Sequence, residues 1–278
     1  MTTPPESLSL PIVLLSAPDG ACAELTLHGA HVISWVPVAG GEQLFLSLKS
    51  EYRPGIAIRG GVPVIFPQFA GRGPLPKHGF ARTLPWQLLS ADGGLAVLTL
   101  QDGPATQAVW PYPFRAEYRV EVGGQALALT LGVVNSGTEA FSFTAALHTY
   151  LRVEDVRLAA VEGLQGLRYA DSALGEEEAE SLEQNERVTF PGEVDRIYFG
   201  TYAPVHLIEK DSRLTVQARG FTDTVIWNPG PGKGAALADL HPGGYLEFVC
   251  IESASIGQPV HLEPGGIWQG TQTLTAGV

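Results

Sequence analysis

The stretch RAEYRVEVGGQALALTLGVVN, residues 115–135, decides the fold class. Apolar and polar side chains alternate through RAEYRVEV (115–122) and again through ALALTLGVVN (126–135), the period of two that belongs to a strand with one buried face. Gly123-Gly124 between them supplies the backbone freedom of a tight turn, so the two runs read as an antiparallel hairpin. Asp92-Gly93-Gly94 repeats the arrangement between WQLLS (86–90) and LAVLTL (95–100). Towards the N-terminus PIVLL, CAELTL, HVISWVPV and QLFL form a meander of short runs separated by Pro, Gly and Asp. Towards the C-terminus FSFTAALHTYLRV, RVTF, IYFG, HLIEK, RLTVQAR, TVIWNP, YLEFVCIES and PVHLEPGGIWQGTQTLT continue it. No long amphipathic helix, fixed-period repeat or linker interrupts the pattern, which predicts one all-β, mostly antiparallel domain over residues 1–278. Only the glutamate-rich LGEEEAESLEQNE (174–186) reads as a helix or a mobile loop with a solvated face.

Composition narrows what such a domain does. A net charge of −12 argues against a nucleic-acid binder, because affinity for phosphate backbones comes from Lys and Arg. No apolar run is long enough to span a bilayer, and MTTPPESLSLPIV lacks a basic and then apolar leader, so a cytoplasmic protein without membrane contact is expected. Cys22 and Cys250 are too few and too far apart for a disulfide framework or a zinc site, and read as buried thiols in a reducing compartment. Neither GxxxxGK[ST], a helix-opening GxGxxG, HExxH nor GxSxG occurs, so nucleotide, metalloprotease and serine-hydrolase chemistries lack their motifs. No metal or cofactor is expected.

Against that acidic background, Ile58–Trp86 collects Arg59, Arg72, Lys77, His78 and Arg82 in a segment dense in Gly and Pro. Five prolines and the Gly60-Gly61 pair exclude a helix or a central strand and predict an ordered loop, where functional residues concentrate. Three further polar features stand out: His148 in AALHTYLRV, Glu252 at the end of the apolar EFVCIES, and Asp195-Arg196 in GEVDRIYFG. A histidine and a carboxylate on either side of a small polar molecule serve as general acid and base. A histidine near a strand end is also commonly structural, and from the residues alone both readings of His148 and Glu252 stand. His28 and His31, within a half-buried run, read as strand residues with local partners.

These blocks resemble a known family. RGGVPVIFPQF (59–69), HGFART (78–83), GAHVISW (29–35), ALHTYLRVEDV (146–156), VDRIY (194–198), TVIWNP (224–229) and VCIES (249–253) are similar, in the same order, to those of the hexose-6-phosphate mutarotases of the aldose 1-epimerase superfamily. The resemblance covers nearly the whole chain and implies a large antiparallel β sandwich of the galactose-mutarotase type. It implies His148 as general acid, Glu252 as general base, Arg59 and Arg82 as ligands of a 6-phosphate, and His78 near the anomeric end. Asp195, and less directly Gln68, would hold sugar hydroxyls. The implied reaction interconverts α and β anomers of a hexose 6-phosphate by ring opening and reclosure, without a cofactor, in a monomer whose partner is that small molecule. Two departures are visible: Ser253 stands where the family often has proline, and WNPGPGKG lacks the family's bulky aromatic. Trp227 and Trp268 read as core, Arg72 and Lys77 as rim residues, and Lys233, His241 and His261 receive no role. The alternatives are a mutarotase for unphosphorylated aldoses and a sugar-phosphate binding protein without turnover.

Overall fold

The computed structural model describes residues 10–174, 180–210 and 212–277. Residues 115–135 lie in a hairpin: Phe114–Gly123 and Ala126–Asn135 pair along their full length, from Phe114↔Asn135 to Gly123↔Ala126. Gly124 takes φ +56° at its turn, a conformation open to glycine. This hairpin lies within a nine-stranded antiparallel sheet, flanked on one side by Ile267–Ala276 and on the other by Leu95–Gln101. An eight-stranded antiparallel sheet is organised around Phe248–Leu262, with Asp223–Asn228 on one side and Phe141–Leu147 and Tyr150–Arg152 on the other. A third sheet of three strands spans Ile12–Ser16, Cys22–Thr26 and His31–Val36.

The main apolar core joins the two large sheets, taking Leu127, Leu129 and Leu131 from one and Leu147, Ile226 and Ile251 from the other. The opposite face of the eight-stranded sheet is buried too, in a second cluster that includes Ile65, Tyr150, Val225, Trp227 and Cys250. Strands buried on both faces need apolar residues at every position rather than at alternate ones. That accounts for the continuous runs TVIW and FVCI.

Several segments depart from the sequence reading. QLFL makes only isolated bridges, Leu44↔Leu151 and Leu46↔Gly60, because its backbone alternates between two partner segments. Phe45 donates to the Tyr150 carbonyl and its own carbonyl accepts from Gly61. FSFTAALHTYLRV is broken at His148-Thr149. WNPGPGKG, despite its glycines and prolines, runs into the short helix Gly230–Ala236. Within the Pro-rich loop Val64–Ile65 forms a two-residue strand at the sheet's edge, and Ala81–Thr83 a 3-10 turn. Of the acidic patch, residues 175–179 lie outside the described residues, and Glu180–Leu182 is a strand. Cys250 is buried, whereas Cys22 is only half-buried. Among the described residues, no helix is long and apolar enough to cross a membrane.

Candidate active site

Strand register brings the two titratable residues together across 104 positions of sequence. Phe248–Leu262 pairs with the segment carrying His148 through Ser253↔Leu147 and Cys250↔Tyr150, which sets His148 directly opposite Glu252. Side chains opposite one another on antiparallel strands share a face. His148 Nε2 lies 3.2 Å from Glu252 Oε1. Alternation places His148 with Tyr150, and Glu252 with Cys250, on the face turned away from the inter-sheet core. Two strands further on, Asp195 enters the same face, its register partner being Trp227.

Burial dominates the electrostatics. Glu252 is 1 % exposed, and this desolvation pushes its carboxyl well above the ordinary carboxylate range, with the Asp195 charge adding to the rise and Arg82 opposing it. The His148 imidazole is pushed well below its usual value by burial, then by His78, Arg59 and Arg82. Asp195 is raised, by burial first, while the Lys233 ammonium 3.8 Å away pulls it back. Glu252 Oε2, His148 Nδ1 and Arg82 Nε are buried with no hydrogen-bond partner in the protein. Unsatisfied buried polar atoms are rare in folded proteins and carry a desolvation cost of about 1–3 kcal/mol each. Three of them belong to residues that influence one another's protonation.

The Pro-rich loop closes over this face. Gly60 and Gly61 hold φ of +114° and +58°, and a Cβ on either would fall 2.3 Å from the Phe45 carbonyl oxygen or 2.2 Å from that of Val32. The RGG sequence is therefore a steric requirement that seats Arg59. The Arg59 guanidinium donates from Nε to Asp239 Oδ2 at 3.1 Å and from Nη1 to the Tyr150 hydroxyl at 2.8 Å, and its Cζ lies 6.0 Å from the Trp227 ring. Arg82, on the 3-10 turn, donates from Nη2 to the Lys77 carbonyl, and its pKa is lowered by burial and by the nearby charge of Arg59. His78 takes the left-handed φ of +68°, stabilised by its amide donating to the Ala70 carbonyl and by the Ala70 amide donating to its Nδ1 at 3.3 Å. An acceptor Nδ1 leaves the proton on Nε2, so neutral His78 presents a donor; burial, then Arg82, Lys77 and Arg59, lower its pKa to about 2. Its ring meets that of His148 edge-on at 5.7 Å.

The structure thus gathers His148, Glu252, His78, Arg59, Arg82 and Asp195 around one face. Gln68 is not brought there: its amide donates to the Ala70 and Leu75 carbonyls and accepts from the Leu75 amide, stapling the loop. Arg59 is thus tied to a carboxylate, Asp239, and to the Tyr150 hydroxyl. His28 and His31 are structural as expected, but their partners are distant in sequence: the Ile56 and Gly60 carbonyls, each at 2.7 Å, and His28 lies in an isolated bridge rather than a strand. Sequence reasoning missed Asp239, Tyr150 and Trp227. Tyr150 stacks on His148 at 4.8 Å and 9°, and Trp227 meets His148 edge-on at 5.7 Å, so Trp227 walls the site as well as filling core. Tyr150 could be found from the alternating run AALHTYLRV, two residues beyond His148; Asp239 follows no periodic pattern. Lys233 pairs with Glu193 at 2.5 Å, nearer the site than its Gly-rich context suggested. Among the described residues, no group of three or more His, Cys, Asp or Glu is placed to hold a metal ion.

Several known proteins are similar to this chain over most of its length. A protein from Cenchrus ciliaris named "Putative glucose-6-phosphate 1-epimerase" is 35% identical over 95% of this chain and 84% of its own length. An Escherichia coli K12 protein of the same name is 37% identical over 84% of this chain and 79% of its own. The crystal structure of a mutarotase, titled "putative", from Salmonella typhimurium superposes with a TM-score of 0.86 at 32% identity, covering 96% of this chain and 90% of that one. The family model for aldose 1-epimerase matches residues 11–275. The chain belongs to the aldose 1-epimerase family.

Proposed function

We propose that this protein is a hexose-6-phosphate 1-epimerase, with glucose 6-phosphate as the substrate its relatives' names support. The observation that carries the reading is the buried His148–Glu252 pair, 3.2 Å apart, with two arginines beside it. Glu252 takes the proton of the anomeric hydroxyl while the imidazolium of His148 gives one to the ring oxygen. The C1–O5 bond breaks, the C1–O bond becomes a carbonyl, and the ring opens to the aldehyde. Rotation about C1–C2 turns the other carbonyl face towards O5. Closure then returns each proton to the group that supplied it, so acid and base end as they began and no cofactor enters.

Neutral His148 is a poor acid; burial does most to keep it neutral, and His78, Arg59 and Arg82 add to that. A phosphate dianion between those guanidiniums offsets their charge, which favours protonation of His148 when a phosphorylated substrate is present. Planar guanidiniums suit phosphate geometry, and anchoring the unreactive end of the sugar fixes C1 beside the pair. His78 Nε2–H and the Asp195 carboxylate are the remaining polar groups for hydroxyl contacts. The same reading takes the chain as a single domain and a monomer, acting in the cytoplasm.

Polarimetry on freshly dissolved α-anomers tests the proposal. Loss of optical rotation accelerated for α-glucose 6-phosphate and far less for α-glucose is the expected result. Equal acceleration of both would favour a mutarotase for free aldoses, and acceleration of neither would favour a binding protein.

A further inference from the structure

The strand that carries the acid is interrupted at the acid itself. Between Leu147↔Ser253 and Tyr150↔Cys250, the Thr149 amide donates back to the Leu147 carbonyl at 3.0 Å, closing a three-residue turn centred on His148. The turn diverts the His148 amide to the Pro63 carbonyl at 3.0 Å, while the Thr149 carbonyl still accepts from the Ile251 amide at 3.1 Å. The regular ladder is therefore bent here rather than lost, and its geometry depends on what holds the two strands. Thr149 and Ser253, the neighbours of acid and base, point to the opposite face and into the inter-sheet core, where they are 0 % and 1 % exposed.

One side chain from the other sheet meets both. Gln272, on Ile267–Ala276 and 0 % exposed, accepts from the Thr149 hydroxyl through Oε1 at 2.5 Å. Its Nε2 donates to Ser253 Oγ at 2.9 Å and to the Ile251 carbonyl at 3.3 Å. Along the same strand the position two residues on is apolar Leu274, part of the main core. A primary amide in that setting carries a desolvation cost that an aliphatic side chain of similar length would avoid. Full satisfaction of its bonds makes it tolerable, and rigidity is what a satisfied buried network supplies.

We propose that Gln272 is a positioning residue which, through Thr149 and Ser253, locks from beneath the sheet the backbone on which His148 and Glu252 stand. Its two ends grip two strands, so it fixes the separation of acid and base rather than the orientation of either alone. The inference rests on reading that pair as acid and base, although Gln272 touches neither side chain.

Thr149→Val removes the hydroxyl at nearly constant volume, Thr149→Ser keeps it, and Gln272→Met replaces the amide by an apolar chain. Each is compared with wild type by anomer-exchange kinetics, thermal unfolding and ring-nitrogen NMR of His148. Misplacement of reacting groups by about 1 Å costs up to roughly a hundredfold in rate. Expected, therefore, are a kcat lowered roughly 10- to 100-fold in Thr149→Val and Gln272→Met with KM unchanged, near-recovery in Thr149→Ser, and His148 resonances displaced in the first two. Wild-type kcat with unmoved His148 resonances would overturn the proposal, as would a Thr149→Ser variant as slow as Thr149→Val, or losses that only follow the unfolded fraction. Absence of exchange by wild type would instead defeat the reading of the site, and the His148 resonances would still decide whether Gln272 positions it.

Discussion

Glu252→Gln should lower turnover by orders of magnitude and at the same time stabilise the fold. The carboxyl is 1 % exposed, its Oε2 has no partner in the protein, and burial together with the Asp195 charge lifts its pKa well above the usual range. Removing a general base of this kind costs roughly 10²–10⁴-fold in rate, or about 3–5 kcal/mol of barrier. The stability effect has the opposite sign. A carboxyl whose folded pKa is raised binds its proton more tightly folded than unfolded, so its contribution is intact below the unfolded value of about 4.3 and is lost as pH rises through the folded value. Glutamine is neutral throughout and avoids that loss. The variant's advantage should therefore be absent in acid and grow towards alkaline pH, reaching roughly 1 kcal/mol, which raises Tm by about 2 °C in a chain of this size. Thermal unfolding followed by circular dichroism at acid, neutral and mildly alkaline pH, beside anomer-exchange rates, reads both effects. A variant within about tenfold of wild-type rate would refute the role of Glu252, and one less stable than wild type at alkaline pH would refute the account of its burial.

Other expectations concern the loop. Arg59→Ala and Arg82→Ala each remove charge-assisted bonds worth about 1.5–3 kcal/mol, so kcat/KM for hexose 6-phosphate should fall roughly 10- to 100-fold while that for free hexose holds; parallel losses would place the phosphate elsewhere. Inorganic phosphate, titrated against protein with labelled histidine, should raise the pKa of His148, because an anion beside Arg59 and Arg82 offsets two of the influences that lower it. A His148 signal unmoved at saturation contradicts that coupling. Gly61→Ala forces a Cβ to 2.2 Å from the Val32 carbonyl at φ +58° and should lower the denaturation midpoint by more than about 1 kcal/mol of stability, whereas an unchanged midpoint would show that the RGG turn is slack.

How much of this was legible in the sequence follows from the range of each interaction. Period-two alternation in 115–135 is local, and it predicted the hairpin; the turn itself falls one residue later than expected, at Gly124-Gln125, because Gly123 still pairs with Ala126. Blocks similar to a known family pointed to His148, Glu252, Arg59, Arg82, His78 and Asp195, and the structure sets all six about one face. Gln68 lies in the same block, but its amide turns inward to the loop, a direction that no local pattern encodes. Asp239 sits in an irregular segment and meets Arg59 only through folding, 180 positions away. The opposition of His148 and Glu252 depends on strand register, and the interruption at His148-Thr149 on a contact from the other sheet. Neither has a signature in the run FSFTAALHTYLRV, which reads as one continuous strand. The Gly-rich GPGKGAA forms a helix against propensity, its buried Gly234 packed where a Cβ would lie 3.1 Å from that of Tyr245.

The most direct test of the central claim is two-dimensional exchange NMR on equilibrated glucose 6-phosphate, which reads α–β interconversion without a coupled reaction. Cross-peaks between the anomeric protons that grow with wild-type protein, and disappear in both His148→Asn and Glu252→Gln while each remains folded, are the predicted result. Exchange that persists at the wild-type rate in either variant would contradict the assignment of that pair as the acid and base.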